Sequence, residues 1–288
     1  MNPQFQPFSV LCANLGNASL KYFNDTYKNK LASKKLEKRL TRRIKKLNPD
    51  IIVFQESLGF LEYLLRKPRK PQIRRLVGKQ YSIVVDSRFQ FEGIAVHTKI
   101  GKIIGCKKGK YKKNKRTEAQ GSQCDNGFAT QAATIRLKGG FQFDLVNFHL
   151  HSTNVFCRVN TLINVFAGNL KENRQPLIKQ QWVLLIGDFN FDPWRYEDKS
   201  THIWKKQFKK GWAGSALHYY NRLSEDGLPE LTSIFPFLSR TIDFAVSNFA
   251  IGTLDTLGVT TDTKRLDGGK GCDHRALWGL IQPKAKFN

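Results

Sequence analysis

The string GDFN at 187–190 closes an apolar run at 182–186 and contains an acid and an amide two positions apart. The run is short, partly β-branched and stopped by glycine, which predicts a buried strand. Because side chains alternate along a strand with a period of two, we expect Asp188 and Asn190 to point to the same side. An acid and an amide at the carboxyl end of a strand could hold a hydrated divalent metal ion and a phosphate group.

Other predicted strands carry the same kinds of side chain at their ends. The string CDH at 272–274 places a carboxylate beside an imidazole, at the start of a predicted strand that continues to 280. Apolar runs that begin at 8, 50 and 143 end at an amide, an acid and an imidazole, and the run at 242–246 has an acid near its start. Gathered at one rim of a sheet, these side chains would suit metal-assisted phosphoester hydrolysis: Asn14, Glu56, His149, Asp188, Asn190, Asp243, Asp273 and His274.

Seven strings, in their order and context, resemble the endonuclease/exonuclease/phosphatase superfamily. This superfamily includes deoxyribonucleases, AP endonucleases, deadenylases, sphingomyelinases and inositol polyphosphate phosphatases. The strings run from residue 12 to residue 279, so the resemblance covers nearly the whole chain. They are CANLGN, NPDIIVFQE, FEGIAV, VNFHL, LLIGDFN, RTIDFAVS and CDHRALWG. The resemblance implies an α+β fold, a four-layered α-β-β-α sandwich of two packed mixed sheets with helices outside and the site at one end.

The pattern of elements favours the same architecture, because many strands with few helices between them disfavour a doubly wound parallel sheet. A helix at 33–47, capped by Ser33, carries an apolar stripe at helical spacing. We find no linker or repeat, so residues 1–288 are predicted to form a single catalytic domain. The predicted strands are 8–14, 50–56, 81–86, 93–98, 100–106, 128–137, 142–149, 182–188, 241–247, 251–255 and 273–280, and the other predicted helices are 57–66, 155–171 and 201–210.

Metal binding is implied by the resemblance for three residues. Glu56 matches the family's principal metal ligand, Asn14 would lie in register with it, and Asp273 would sit near the metal. Mg²⁺ prefers oxygen ligands and takes only one or two carboxylates from a protein. We therefore expect Mg²⁺ as the cofactor, with Mn²⁺ as the alternative.

Catalytic roles are implied in the same way. Asp188 would orient or deprotonate the attacking water, and Asn190 would hold a phosphate oxygen. His274, oriented by Asp243, would bind a non-bridging oxygen or donate a proton, since a histidine paired with a carboxylate is a suitable acid–base catalyst near neutral pH.

The string VNFHL at 146–150 separates branches of the superfamily. A histidine in this context resembles the deoxyribonuclease, deadenylase and sphingomyelinase branches and differs from the AP endonucleases. We predict that His149 is catalytic and that Glu92, just before the strand at 93–98, orients it. His151, one strand repeat further on, is the alternative catalytic residue.

The formal net charge of +25 arises from 48 Lys and Arg against 23 Asp and Glu. Residues 107–116 are dense in lysine and have no apolar stripe, so we predict a mobile arm that contacts a polyanion. Nucleic acid is the expected partner, and acidic membrane lipid is the alternative. The predicted substrate-binding residues are Lys107, Lys108, Lys110, Lys112 and Lys113.

Aromatic and basic residues interleave at 194–220. One interpretation is an amphipathic helix that packs its aromatic side chains inward. The alternatives are a platform on which bases stack, or a surface that meets a membrane interface.

Three functions are consistent with these patterns. A magnesium-dependent phosphodiester hydrolase explains both the motifs and the charge, and we predict a nuclease of the endonuclease type that acts on DNA or RNA. A sphingomyelinase-like phospholipase explains the motifs and the segment at 194–220, but it needs a secreted chain. A non-catalytic binding protein explains the charge alone.

The sequence shows no targeting pattern. Residues 1–7 lack the basic and apolar regions of a signal peptide, and no apolar stretch approaches the ~20 residues of a membrane-spanning helix. Five cysteines without metal-binding spacing favour reduced thiols. We therefore expect a cytoplasmic monomer without a transmembrane segment.

Overall fold

Twelve strands and four helices make up the described part of the chain. The computed structural model describes residues 6–15, 28–57, 72–86, 92–108, 130–167, 176–233, 240–257 and 274–284. The strands are β1 (Phe8–Asn14), β2 (Ile51–Gln55), β3 (Tyr81–Asp86), β4 (Glu92–His97), β5 (Gly101–Lys108), β6 (Gln131–Leu137), β7 (Gln142–His149), β8 (Val183–Asp188), β9 (His218–Tyr219), β10 (Asp243–Ser247), β11 (Ala250–Leu257) and β12 (Ala276–Pro283). The helices are α1 (Lys28–Leu47), α2 (Gln72–Val77), α3 (Val155–Phe166) and α4 (Lys199–Lys210).

The strands form two six-stranded sheets. The first sheet has the order β11-β12-β1-β2-β4-β3, and the second has the order β5-β6-β7-β8-β10-β9. In each sheet one central pair is parallel, β1 with β2 and β7 with β8, and the other pairs are antiparallel. Both sheets are therefore mixed, as the sequence predicts.

The largest core lies between the two sheets. Val10 and Val53 of the first sheet and Leu145 and Ile186 of the second belong to one cluster and are fully buried. Their neighbours in sequence along each strand point to the opposite face, because strand side chains alternate. Each sheet thus has a second apolar face that a helical layer must cover.

Helices cover both outer faces. Leu40 and Ile44 of α1, four residues apart and therefore on one helical face, pack on the first sheet together with α2. Leu162 of α3 and Trp204 of α4 pack on the second sheet. The order of layers is helix, sheet, sheet, helix, which confirms the predicted α-β-β-α sandwich.

Two helices begin with capping side chains just after strands of the second sheet. The Asn154 side chain accepts the backbone N–H of Cys157 at the start of α3, and Asp198 accepts that of Thr201 at the start of α4. These caps satisfy backbone donors that have no partner inside the helix. They define where α3 begins after β7 and where α4 begins after β8.

Several local predictions are wrong. The first helix begins at Lys28, before Ser33, so Ser33 is not its cap. The short helix α2 and the two-residue strand β9 carry too few residues to show a periodic pattern, and the sequence did not predict them. The predicted strand at 273–280 is β12 at Ala276–Pro283. Most of the predicted helix at 57–66 lies outside the described residues.

The aromatic side chains of 194–220 pack mainly inward, as the first interpretation of this segment predicts. Trp204 is fully buried against Phe244, with ring centroids 5.5 Å apart, and its indole N–H donates to the Tyr219 hydroxyl at 2.7 Å. Trp194 packs on the same core. A side chain committed to a core cannot at the same time form a platform for bases or insert into a membrane.

Cys157 on α3 is disulfide-bonded, whereas Cys12 and Cys106 are thiols. The expectation of reduced thiols is therefore wrong for Cys157. None of the helices in the described residues is both long enough and apolar enough to span a membrane.

Candidate functional site

One end of the sandwich collects the predicted site residues. Asn14 is the last residue of β1, and Glu56 follows β2 directly. His149 ends β7 and Asp188 ends β8. Because β1 and β2 run parallel, as do β7 and β8, each pair presents its carboxyl ends at the same edge. Asp243 begins the antiparallel strand β10 and lies opposite Asp188 in the sheet.

Gly187 allows β8 to approach β7 closely at this edge. Its φ is +139°, and a Cβ at this position would lie 2.1 Å from the backbone oxygen of Phe148. No side chain fits that space, and only glycine adopts such a φ without strain. The glycine of the GDFN string therefore brings Asp188 alongside the end of β7.

Asp188 lies at the centre of the cluster. Its Oδ2 accepts a hydrogen bond from Asn14 Nδ2 at 2.9 Å, and its Oδ1 accepts the backbone N–H of Asn190 at 2.8 Å. The Nε2 atoms of His149 and His274 lie 3.9 and 3.8 Å from Oδ2. One carboxylate oxygen thus stands between two imidazoles.

His149 is held among acids. Its Nδ1 lies 3.0 Å from Glu92 Oε1, which is the contact that the sequence predicts, and its Nε2 lies 3.4 Å from Glu56 Oε1. Burial alone would lower the pKa of His149, but the contacts with Glu56 and Glu92 outweigh burial and hold the pKa well above its ordinary value. The two carboxylates therefore favour the protonated form of the imidazole.

His274 forms the second carboxylate–imidazole pair. Its Nδ1 lies 2.8 Å from Asp243 Oδ2, as predicted. Thr232 Oγ1 accepts the backbone N–H of Asp243 at 2.9 Å, and the backbone of Ser233 pairs with that of His274. The loop before β10 therefore holds both members of the pair.

His151 has a different task. Its Nδ1 accepts the backbone N–H groups of Thr153 and Asn154 at 3.2 and 3.1 Å, in the turn that leads into α3. Burial and the nearby Arg158 lower the pKa of His151. Of the two histidines at this strand end, the structure brings His149 into the cluster.

Glu56 and Asn190 both have left-handed backbones, with φ of +48° and +53°. Because β8 ends at Asp188, the strand-periodicity argument for the side chain of Asn190 is wrong. The chain turns after β8, and Asn190 Nδ2 donates to the backbone oxygen of Leu150 at 2.8 Å. Such sparsely populated conformations in non-glycine residues persist where surrounding contacts hold them, and functional sites are rich in them.

The charge balance of the cluster suits a cation. Burial raises the pKa of Asp188 to about 6, with Asp243 acting in the same direction and His274 against it. Asp243 Oδ1 is buried without a hydrogen-bond partner among the described residues. Ligand atoms of Asp188, Asp243 and His274, one from each, all lie within 4.8 Å of one another. A divalent ion would offset the buried negative charge.

The predicted basic arm starts at the same end of the molecule. Lys107 and Lys108 are part of strand β5, which corrects their assignment to a loop. Lys108 pairs in register with Gln131, and Gln131 pairs with Asn147, two residues before the end of β7. Burial and the neighbouring Lys179 lower the pKa of Lys107 to about 8. The remaining predicted residues, Lys110, Lys112, Lys113 and Asp273, lie outside the described residues.

A buried polar bridge beneath the site was not predicted. Gln55 Nε2 donates to Asn147 Oδ1 at 2.6 Å, and Asn147 Nδ2 donates to the backbone oxygen of Phe54 at 2.9 Å. These bonds link the two sheets below Asn14 and His149. A signal was present, since a polar residue within an otherwise apolar strand needs a buried partner.

Solved structures share this architecture. Humanised D. rerio TDP2, with 14 mutations, has a TM-score of 0.63 at 14% identity over 96% of this chain and 99% of that chain. ANGEL2, a 2′,3′-cyclic phosphatase in complex with adenosine-2′,3′-vanadate, has a TM-score of 0.64 at 14% identity over 97% and 96%. A Bacteroides thetaiotaomicron protein of the endonuclease/exonuclease/phosphatase family has a TM-score of 0.60 at 16% identity over 97% and 99%.

No protein-family model and no curated protein matches the sequence. At the identities of the solved structures, the likeness is one of fold. The chain therefore shares its fold with these solved structures, one of which is an endonuclease/exonuclease/phosphatase family protein, and this confirms at the level of the fold the resemblance that the seven strings indicate.

Proposed function

We propose that the chain is a divalent-metal-dependent phosphodiester hydrolase, and specifically a nuclease, with residues 1–288 acting as one catalytic domain. The observation that carries the proposal is the pair of carboxylate-bound imidazoles, His149 and His274, on either side of Asp188. Phosphodiester hydrolysis needs an activated water, stabilised phosphate charge and a protonated leaving oxygen. A carboxylate between two imidazoles offers groups for each of these needs.

Two sets of residues fit a metal ion. The first is Glu56 with Asn14, and the second is Asp188 with Asp243 and His274. We favour Glu56, because its side chain is 19% exposed whereas that of Asp188 is 2% exposed. Mg²⁺ is reluctant to lose its waters and suits a carboxylate that solvent reaches. In the second set, His274 Nδ1 and Asp243 Oδ2 already contact each other at hydrogen-bond distance, so these two atoms are not available to a metal ion.

In this assignment Glu56 holds Mg²⁺ or Mn²⁺, with Asn14 beside it and Asp273 as a further carboxylate. The ion supplies positive charge to the phosphate oxygens when it is bound. Asp188 orients the attacking water and accepts its proton. A pKa near 6 suits this role, because the group is ionised at neutral pH and still basic enough to take a proton.

The remaining groups contact the phosphate and the leaving oxygen. Asn190 uses one amide N–H for Leu150, and the second N–H can donate to a phosphate oxygen. His149, whose protonated form Glu56 and Glu92 favour, stabilises negative charge. His274, oriented by Asp243, holds a non-bridging oxygen or protonates the leaving oxygen.

Nucleic acid is the substrate class that the charge favours. The net charge is +25, and strand β5, from which the lysine-rich segment continues, ends at the same edge as the catalytic cluster. We include RNA with a 2′,3′-cyclic end as a candidate substrate, because ANGEL2 is a 2′,3′-cyclic phosphatase. The sphingomyelinase-like alternative loses its main support, because Trp194 and Trp204 pack in the core.

The test compares substrates with and without metal. The protein would be incubated with bis(p-nitrophenyl) phosphate, single-stranded and duplex DNA, RNA with and without a cyclic end, and sphingomyelin vesicles, in Mg²⁺ or in EDTA. We expect cleavage of the diester and of nucleic acid in Mg²⁺ only. Glu56→Gln should lower the rate by orders of magnitude, whereas Glu225→Gln, at an exposed turn, should not. Full activity in EDTA or in Glu56→Gln would refute the metal assignment.

Binding can be tested apart from cleavage. Replacing Lys107, Lys108, Lys110, Lys112 and Lys113 with Gln should flatten the dependence of log affinity on log salt, by roughly 0.9 for each phosphate of duplex DNA that is no longer neutralised. An unchanged slope would remove these lysines from the substrate-binding surface. Binding to acidic vesicles but not to nucleic acid would favour the membrane alternative.

A further inference from the structure

Two aromatic side chains stay exposed beside the candidate site, and each has a cation over its ring. Tyr196 is 44% exposed, with the Arg240 guanidinium carbon 4.5 Å from its ring centroid. Phe156 is 51% exposed, with Lys199 Nζ 5.3 Å from its ring centroid. They are the two aromatic members among the seven exposed large hydrophobic side chains of the described residues. We call these four residues the rim pairs.

Backbone contacts tie the first rim pair to the cluster. Arg240 is bridged to Ser233, and Ser233 is bridged to His274. On the other side of the pair, the Tyr196 N–H bonds the backbone oxygen of Asp192 at 3.3 Å, and Asp192 lies four residues after the end of β8. Tyr196 and Arg240 therefore stand where β8 ends and β10 begins.

The second rim pair lies at the starts of α3 and α4, close to the chain that follows β7. Arg158 Nη1 donates to the backbone oxygen of His151 at 2.9 Å, and Arg158 Nη2 donates to Asp198 at 2.7 Å. Asp198 directly precedes Lys199, and Phe156 is in the first turn of α3, which follows β7. The pair thus sits over the starts of α3 and α4, next to the chain that leaves His149.

The rim pairs lie in a positively charged part of the surface, because the nearby acids are already paired with other basic residues. The two acids between Tyr196 and Lys199 already have partners, Glu197 with Lys205 and Asp198 with Arg158. Arg240 Nε is buried without a hydrogen-bond partner among the described residues. Exposed aromatic faces next to cations are the elements with which proteins bind single-stranded nucleic acid, since bases stack on rings and cations contact phosphates.

We propose that the rim pairs form a track for single-stranded nucleic acid on either side of the scissile phosphate. Tyr196 and Phe156 stack on unpaired bases, and Arg240 and Lys199 contact the flanking phosphates. This inference rests on the proposed nuclease function and names its substrate class. A duplex keeps its bases stacked inside, so it cannot present their faces to these rings.

The first experiment measures binding in the Glu56→Gln background, which removes cleavage. Fluorescence anisotropy with a labelled single-stranded oligonucleotide and with a duplex of equal length would be compared. Tyr196→Ala and Phe156→Ala should each weaken single-strand binding by about 5- to 100-fold, the range for removal of one base stack. Duplex binding should change much less. Tyr196→Phe should bind as the parent does, because the ring remains.

Matched controls separate the track from general surface effects. Ile163→Ala removes an exposed apolar side chain two turns further along α3 and should leave binding unchanged. Lys199→Gln should weaken binding more than Lys209→Gln, which removes a lysine from the far end of α4. Equal losses for single strands and duplex, no loss in either Ala variant, or a loss confined to vesicles of phosphatidylserine and phosphatidylcholine would each overturn the proposal.

The small diester distinguishes this inference from the proposed function. Bis(p-nitrophenyl) phosphate is too short to reach along the track and has no flanking phosphates, so in the active protein Tyr196→Ala should change its KM much less than the KM for a single-stranded substrate. With single-stranded substrate the same variant should show a raised KM. If the parent protein hydrolyses no diester, the proposed function is wrong. If the parent is active and Tyr196→Ala has the parental KM for single-stranded substrate, only the track is wrong.

Discussion

The two histidines on either side of Asp188 differ in their surroundings. Besides Asp188, His149 contacts Glu92 and Glu56 and is 1% exposed, whereas among the described residues His274 contacts Asp243 and is 7% exposed. The additional carboxylate raises the cost of removing the proton from His149. In the proposed mechanism the two carboxylate–imidazole pairs would divide the work: His149 would stabilise negative charge, and His274, nearer to solvent, would exchange a proton or bind an oxygen.

Replacing either histidine should have the largest effect. His149→Gln and His274→Gln should each lower the rate of diester hydrolysis by about 10²–10⁴-fold, the usual range when a group that stabilises charge in the transition state or acts in general acid–base catalysis is removed. His151→Gln should stay within a few-fold of the parent, because His151 caps a turn. Steady-state rates at saturating Mg²⁺ provide the measurement. If His151→Gln were inactive and His149→Gln kept the parental rate, His151 and not His149 would be the catalytic histidine.

Replacing the acid partners should have a smaller effect that distinguishes the pairs. Glu92→Gln and Asp243→Asn should each lower the rate by about 10–100-fold, as is common when the partner of a working histidine is changed. Glu92→Gln should lose more activity at alkaline pH than at pH 6, since it weakens the hold on the proton of His149. Parallel pH–rate profiles for Glu92→Gln and the parent would contradict a cationic His149.

Protonation of Asp188 should set the acid limit of activity, which is the pH below which the rate of hydrolysis falls. Because its pKa is raised to about 6, the carboxylate takes up a proton as the pH falls through that value, and the rate at limiting Mg²⁺ should fall with it. Asp243 contributes to this raised pKa, so Asp243→Asn should move the acid limit to lower pH. An acid limit that stays in place in Asp243→Asn would show that the titrating group is not Asp188.

The smallest effect concerns the stability of the metal-free protein. The pKa of His149 is raised on folding above an unfolded value of about 6.5. The stabilisation is therefore fully present below about pH 6.5 and is lost as the pH rises through the folded pKa. The difference in urea midpoint between the parent and His149→Gln should shrink from pH 6 towards alkaline pH. A difference that grows with pH would contradict the sign of this shift.

Strand ends were the informative part of the sequence. A run such as 182–186 can be read as a buried strand from its residues alone, and the end of a strand then marks where Asp188 lies. The pairing of His149 with Glu92 followed from register in the same way. The sequence therefore predicted most of the cluster and both carboxylate–imidazole pairs, since these depend on strands that the apolar pattern defines.

Other features depend on contacts that a local pattern does not encode. The position of Asn190 follows from a left-handed turn, and strand periodicity fails there. Trp204 and Tyr196 lie eight residues apart in one aromatic and basic segment, yet one is buried and the other exposed. Tertiary packing decides which of the two side chains is buried. The bridge between Gln55 and Asn147 needs two sheets that the chain assembles only in three dimensions.

The hydrogen bond between Asn14 and Asp188 joins residues 174 positions apart. Strand β1, which carries Asn14, pairs with both β2 and β12, so segments from early and late in the chain are neighbours in one sheet. Contacts of such long sequence separation form slowly, because a large loop must close before they can be made. In a refolding experiment we expect helical signal and tryptophan burial to appear before activity. During synthesis on the ribosome, the proposed hydrolytic site would form only after β12 has emerged and the fold around the site is complete.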